Sequence, residues 1–130
     1  MHDSIGLEIQ HVRKAFSSYG MTEKFYAVDG IDLSVKEGEL VTLLGPSGCG
    51  KTTMLRMVAG FEMPTEGNIL LGGKDVTNLP PNKRNIGMMF QSYALFPHLT
   101  VFDNIAYGLR VKKLSSQEIL EKTESVMEMM

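Results

Sequence analysis

The sequence predicts an α/β fold: a mostly parallel sheet with helices, preceded by an N-terminal antiparallel β-layer. Three observations predict it. Two alternating segments, Gly6 to Val12 and Ala27 to Val35, open the chain. The octapeptide Gly45-Pro46-Ser47-Gly48-Cys49-Gly50-Lys51-Thr52 then lies between an apolar run, Leu40 to Leu44, and a helical pattern, Lys51 to Ala59. A second apolar run, Ile86 to Phe90, and two further helical patterns follow.

Taken in order, Leu7, Ile9 and His11 alternate with Glu8, Gln10 and Val12, as in an edge-type strand. Residues 15–25 are polar and broken by Gly20, which predicts a loop. Val28, Ile31, Leu33 and Val35 form a clearer strand, with Asp29-Gly30 as a bulge or tight spot. Lys36 to Glu39 is a turn, and 40–44 reads as a buried strand. The helix from Lys51 carries Met54, Leu55 and Val58 on one face and stops at Gly60. Pro64 to Gly67 is a turn, Asn68 to Leu71 a short strand, Gly72-Gly73 a hairpin-like turn, and Lys74 to Thr77 extended. Pro80-Pro81 breaks the chain, and Lys83 and Arg84 beside it read as a solvated turn. Ile86 to Phe90 reads as a second buried strand. Val101 to Leu109 has helical spacing, and Ser115 with Glu118 is a capping box before Ile119, Leu120, Thr123, Val126, Met127 and Met130. The chain stops inside that helix with no cap, which predicts truncation at residue 130. Three parts are expected: about 1–39 antiparallel, 40–110 the core, and 111–130 the start of a helical subdomain.

A chain of 130 residues fits one small domain, and 43% hydrophobic content supports a core. Thirteen basic against 15 acidic residues, a net of −2, argue against a nucleic-acid-coating surface. The one cysteine, Cys49, excludes an internal disulfide and suits a reducing cytoplasm. Its side chain is expected to point away from the loop, as a small filler or as a redox switch. No segment approaches a membrane span, and the first residues lack the features of a signal peptide.

The octapeptide matches G-x-x-x-x-G-K-[ST], a phosphate loop, in the strand–loop–helix setting that gives the motif its meaning. Gly45, Gly48 and Gly50 let successive N–H groups turn inward as an anion nest. The nest opens a helix, whose N-terminus favours negative charge. Lys51 brings a point charge for β- and γ-phosphates, and Thr52 a hydroxyl for Mg²⁺. The candidate nucleotide-binding residues are Gly45, Pro46, Ser47, Gly48, Cys49, Gly50, Lys51, Thr52 and Thr53. Glu62, Glu66 and Asp75 lie in turns and hairpins and read as solvated acids, leaving no catalytic carboxylate.

A second stretch runs Gly87-Met88-Met89-Phe90-Gln91-Ser92-Tyr93-Ala94-Leu95-Phe96-Pro97-His98-Leu99-Thr100-Val101. Together with the phosphate loop, it resembles the nucleotide-binding subunit of an ABC transporter. The likeness covers the first part of that domain over essentially the whole chain, and the Lys51-to-Gln91 spacing is similar. The resemblance implies a P-loop NTPase core that binds ATP with Mg²⁺. It implies a Q-loop role for Gln91, reaching the metal and the attacking water, so that Lys51 and Gln91 are the candidate catalytic residues and Thr52 and Gln91 the metal ligands. Ser92 to His98 resembles the surface that docks a membrane subunit, though its aromatics could be local loop packing; His98 is not the family's switch histidine. For the aromatic that stacks on adenine, the resemblance favours Tyr19, with Phe25 and Tyr26 as rivals.

Pro80 to Gly87 resembles the P-P-x-x-R-x-x-G segment of importer ATPases for sugars, polyamines and iron. The implied function is the ATP-binding subunit of an importer, paired with a second ATPase subunit, with permease subunits as partners and no nucleic acid. The implied place is the cytoplasmic face of the cell membrane. The family's signature, Walker B aspartate, catalytic glutamate and switch histidine all lie beyond residue 130, so the chain alone is expected to be hydrolytically incompetent. Two other readings share these residues: a non-transport ABC ATPase, and a truncated product that at most binds nucleotide. The run from Phe96 to Ile105 resembles the transporters.

Overall fold

Alternating apolar residues drive the first part of the chain into a sheet. The computed structural model describes residues 4–17, 24–92 and 94–130. Strands β1 (Ile5–Ser17) and β2 (Lys24–Lys36) make a long antiparallel hairpin. β3 (Glu66–Leu71) pairs antiparallel with the other side of β1, and β4 (Lys74–Asp75) folds back on β3. The order is β2-β1-β3-β4. Between β3 and β4, Gly72 and Gly73 take φ 53° and 76°, the two positive values that a tight twisted hairpin turn needs.

The expected edge strand is therefore internal, flanked on both sides. Its alternation also changes phase. The β1–β2 register shifts between Ile9 and Val12, where His11 has φ 48° and donates its N–H to the Asp32 carboxylate at 2.7 Å. The bulge turns both Ile9 and Val12 inward, at 2% and 0% exposure. A second shift on the same hairpin accompanies Gly30, at φ 66°. At both ends of the loop expected at 15–25 the chain is strand: β1 extends to Ser17 and β2 begins at Lys24.

One helix covers this sheet. α1 (Lys51–Ala59) buries Met54 and Met57 against Ile9, Val12, Val28, Ile69 and Val76, with Val58 beside them. Met57 rather than Leu55 faces inward, and Leu55 is half exposed. Positions 54, 57 and 58 share one stripe of a 3.6-residue helix, which position 55 leaves. Truncating a fully buried side chain such as Met57 to Ala typically costs about 2–5 kcal/mol. At the C-terminal end, Gly60 caps α1 with φ 85°.

Two expected strands are not formed. Residues 40–44 and 86–90 have no strand partner among the described residues, and Leu40, Leu44 and Met89 are 90%, 92% and 97% exposed. Every pairing in the sheet is antiparallel. An apolar run becomes a buried parallel strand only where neighbouring strands and covering helices exist. The turn at Pro80-Pro81 is a single 3-10 turn, Pro81–Lys83. Arg84 behind it is not solvated: it is 3% exposed.

The chain divides into two compact units, Met1–Met88 and Met89–Met130. The second holds α2 (Val101–Val111) and α3 (Ser116–Met129), joined by a turn in which Lys113 has φ 57°. Ala106 of α2 and Thr123 of α3 are fully buried. Thr100 caps α2, its hydroxyl accepting from the Asp103 N–H at 3.1 Å. Ser115 and Glu118 make both bonds of the expected capping box.

Candidate phosphate-binding site

The loop Gly45 to Thr52 ends at Gly50, the N-cap of α1, with φ 94°. Gly48 is also left-handed, at φ 81°. A Cβ on Gly50 would run into the Ala27 carbonyl oxygen of β2, so the loop rests directly on that strand's backbone. Gly45 is needed for room rather than for φ: an added Cβ would come within 2.6 Å of Cys49 Sγ.

The first helical bond of α1 runs from the Met54 N–H to the Gly50 carbonyl, at 2.9 Å. The amides of Lys51, Thr52 and Thr53 precede it and have no acceptor within the helix. No side chain caps this terminus, and its first turn holds no acidic residue. The contrast within the molecule is direct. α2 and α3 each carry a hydroxyl cap and an acid in the first turn. Only this terminus, among the three α-helices of the described residues, leaves its N–H groups and dipole to an anion from outside.

Lys51 Nζ donates to the Gly45 carbonyl and, at 3.0 Å, to the Pro46 carbonyl. Its charge thus lies within the loop. Cys49 does not point away: Sγ is 3.6 Å from Lys51 Nζ. Thr52 is exposed and Thr53 half-buried at the start of the helix. A cavity of about 470 Å³ extends from the loop along β2, with Tyr26, Ile31 and Leu33 on one side and Gly50, Lys51 and Met54 on the other. A cationic, glycine-turned, uncapped helix start beside this mainly apolar cavity, which Asp29 also lines, fits a phosphorylated ligand with a flat ring to pack. Thr52 offers a hydroxyl suited to Mg²⁺.

The structure brings residues 45–53 together on one terminus. Gln91 lies in the second unit, exposed at a bend with Ser92. Tyr19 and Tyr93 lie outside the described residues. Of the rival aromatics, Tyr26 lines the cavity that the phosphate loop shares. Phe25 stands opposite Phe16 across the hairpin, and both are exposed, at 65% and 41%. Phe16 was not singled out from the sequence; its signal was an aromatic on the same hairpin end as the candidate, one strand earlier.

Within the second unit, the turn from Phe96 to Thr100 is built around Asn104. Its carboxamide accepts from the Phe96 N–H at 2.9 Å and donates to the carbonyls of Phe96, Leu99 and Thr100 at 3.2, 3.2 and 2.9 Å. The Phe96 ring lies 4.6 Å from Tyr107 and 6.1 Å from His98 between centroids. Leu95 projects outward, 68% exposed. Sequence reasoning missed Asn104, whose amide both donates and accepts and so holds the backbone of three residues, Phe96, Leu99 and Thr100.

The uncapped helix start, the glycine-turned loop and the sheet beneath them define a phosphate-loop nucleotide-binding fold. The chain belongs to the ABC transporter family: the model of that family, described as "ABC transporter", matches residues 28–130. The chain is 50% identical over 123 residues to the spermidine/putrescine import ATP-binding protein PotA of Thermobifida fusca, covering 95% of this chain and 32% of that protein. It is 57% identical over 115 residues to the Fe(3+) ions import ATP-binding protein FbpC of Rhizobium etli, covering 88% of this chain and 31% of that protein. Its fold resembles the dimeric, ADP- and Pi-bound post-hydrolysis structure of the ATP-binding cassette MJ0796. The TM-score is 0.80 at 31% identity, over 95% of this chain and 56% of that one. The chain therefore spans about a third of the length of these curated relatives. Among the described residues, no helix is long and apolar enough to cross a membrane.

Proposed function

We propose that residues 45–53 bind MgATP and that the chain serves as the nucleotide-binding part of an ATP-driven importer. One observation carries the reading: of the three α-helices among the described residues, only α1 lacks a side-chain cap and a first-turn acid, and a glycine loop holding Lys51 stands in their place. The relatives, both import ATP-binding proteins, support the direction of transport. Lys51 neutralises phosphate, the amides of the nest donate to it, and Thr52 with Gln91 would ligate Mg²⁺. ATP, when bound, supplies the phosphoryl group; the residues here orient it. Leu95, with the Asn104-held turn behind it, would form the docking surface for a permease subunit, which would keep the protein at the cytoplasmic face of the membrane. The MJ0796 cassette is dimeric, which supports pairing of two ATPase subunits. The segments 1–39, 40–110 and 111–130 would be the antiparallel part, the loop-bearing core and the start of a helical part.

The experiment is a titration of the protein and of Lys51→Ala with MgATP, with phosphate release followed in the same samples. Removing a charge-assisted contact costs roughly 1.5–3 kcal/mol. That is about tenfold or more in affinity. Equal affinity in the two proteins would sink the assignment. Phosphate release by residues 1–130 should stay at the Lys51→Ala background, because phosphoryl transfer depends on positioned groups, and Asp29, the acid that lines the cavity beside Lys51, is engaged by Arg13 at 3.0 Å. Turnover above that background would place a catalytic carboxylate within these residues.

A further inference from the structure

Arg84 is a charged side chain with 3% exposure and four carbonyl partners. Its Nη1 donates to Met57 at 2.7 Å and Val58 at 3.0 Å, both in the last turn of α1. Its Nε donates to Leu79 at 2.7 Å and its Nη2 to Thr77 at 2.9 Å, both just past β4. A guanidinium can serve four acceptors at once because its donors fan out in one rigid plane. Burial draws its affinity for the proton down, and Asp75 opposes this. No other side chain among the described residues has this fork. Thr77 continues it inward, its hydroxyl accepting from the Ile69 N–H of β3 at 2.9 Å and donating to Asp75 at 2.6 Å.

The two ends of α1 are thus fixed differently. At the N-terminal end, Gly50 seats the phosphate loop on the Ala27 carbonyl of β2. At the C-terminal end, Arg84 ties the Met57 and Val58 carbonyls of the helix to the segment that follows β4. Gly60 makes room for it: an added Cβ would stand 2.6 Å from Arg84 Nε. A rigid helix of nine residues transmits a tilt at one end to the other. The loop amides that would meet phosphate belong to that helix.

We propose that Arg84 is a positioning residue for the phosphate site: it braces the far end of α1 and so fixes the direction in which the loop amides and Lys51 meet a triphosphate. This rests on the reading of residues 45–53 as the ATP site. A solvated arginine, or one that merely fills space, would not choose two carbonyls on the helix and two on the segment that follows β4.

The test combines MgATP titration with amide hydrogen exchange of the nucleotide-free protein. Arg84→Lys and Arg84→Gln are made in the parent and in the Lys51→Ala background, all measured well below their melting temperatures. Arg84→Gln should raise the Kd about tenfold in the parent. In the Lys51→Ala background it should raise it by less than about twofold, because the two changes act on one contact. Arg84→Lys should fall between. Exchange at the amides of residues 51–60 should quicken about tenfold. A lower melting temperature with unchanged Kd would overturn the brace, as would equal losses of affinity in both backgrounds. If Arg84→Gln does not fold, Arg84→Lys with parental affinity has the same force. If the parent binds MgATP no better than Lys51→Ala, the ATP reading fails by itself. The exchange data then decide the brace: unchanged protection overturns it, and faster exchange in residues 51–60 upholds it.

Discussion

Phe16 and Phe25 face each other across the hairpin, with Lys14 Nζ 5.2 Å from the Phe16 ring centre. Tyr26, next to them, instead lines the cavity beside Gly50 and Lys51. The β1–β2 register shifts here, between the Lys14–Val28 and Ala15–Tyr26 pairs. Adenine stacking by Tyr19 is proposed from the family resemblance, and the aromatics of the hairpin set the controls. Base–aromatic stacking is worth about 1–3 kcal/mol and tolerates base identity. Tyr19→Ala should therefore weaken ATP and GTP binding alike by about tenfold. Fluorescence titration of Tyr19→Ala, Tyr26→Ala and Phe16→Ala checks this. Loss confined to Tyr26→Ala or Phe16→Ala would move the stacking ring into the hairpin. The residue scale was legible where chemistry is local. The loop glycines and Lys51 declare themselves by spacing. Arg84 did not, because its partners, at 57, 58, 77 and 79, are carbonyls that any sequence would offer.

Helices α2 and α3 show what a capped element looks like here. Asp103 is held below the ordinary carboxylate range first by the Thr100 hydroxyl and then by Arg110. Glu118 is lowered in the same way, first by Ser115. A carboxyl whose folded pKa is depressed binds fewer protons when folded than when unfolded. Its contribution is complete above the ordinary value and disappears as pH falls through the lowered one. The helical signal of residues 89–130 and their amide protection should thus weaken below about pH 4, while remaining flat from there to neutrality. Ser115→Ala should cost about 1 kcal/mol in helix stability and remove most of the acid dependence of α3, as read by circular dichroism against pH. An acid transition that persists unchanged in Ser115→Ala would separate it from the cap. The S-x-x-E pattern exposed this element fully, down to both hydrogen bonds. β1 was less open to reading. Its bulge at His11 shifts the inward face from one phase to the other, and a two-residue period carries no mark of where such a shift falls.

The antiparallel layer, α1, the phosphate loop and both later helices could be read from order and spacing alone. The parallel strands could not be confirmed by pattern. An apolar run such as Leu40 to Leu44 states that its residues favour burial; it does not state which chain segment buries them, because sheet pairing is non-local. In the structure, Leu40 and Leu44 are 90% and 92% exposed and contribute almost no packing. Contiguous exposed apolar surface marks either an interface or a liability. Residues 1–130 in isolation should therefore bind 8-anilinonaphthalene sulfonate and associate as concentration rises. Replacing both Leu40 and Leu44 by Lys should reduce the dye fluorescence and the association. It should leave the melting temperature nearly unchanged, since surface substitutions away from packed groups usually stay within about 0.5 kcal/mol. A marked drop in melting temperature would show that these side chains are buried in solution. The run would then already have the strand partners that its composition calls for.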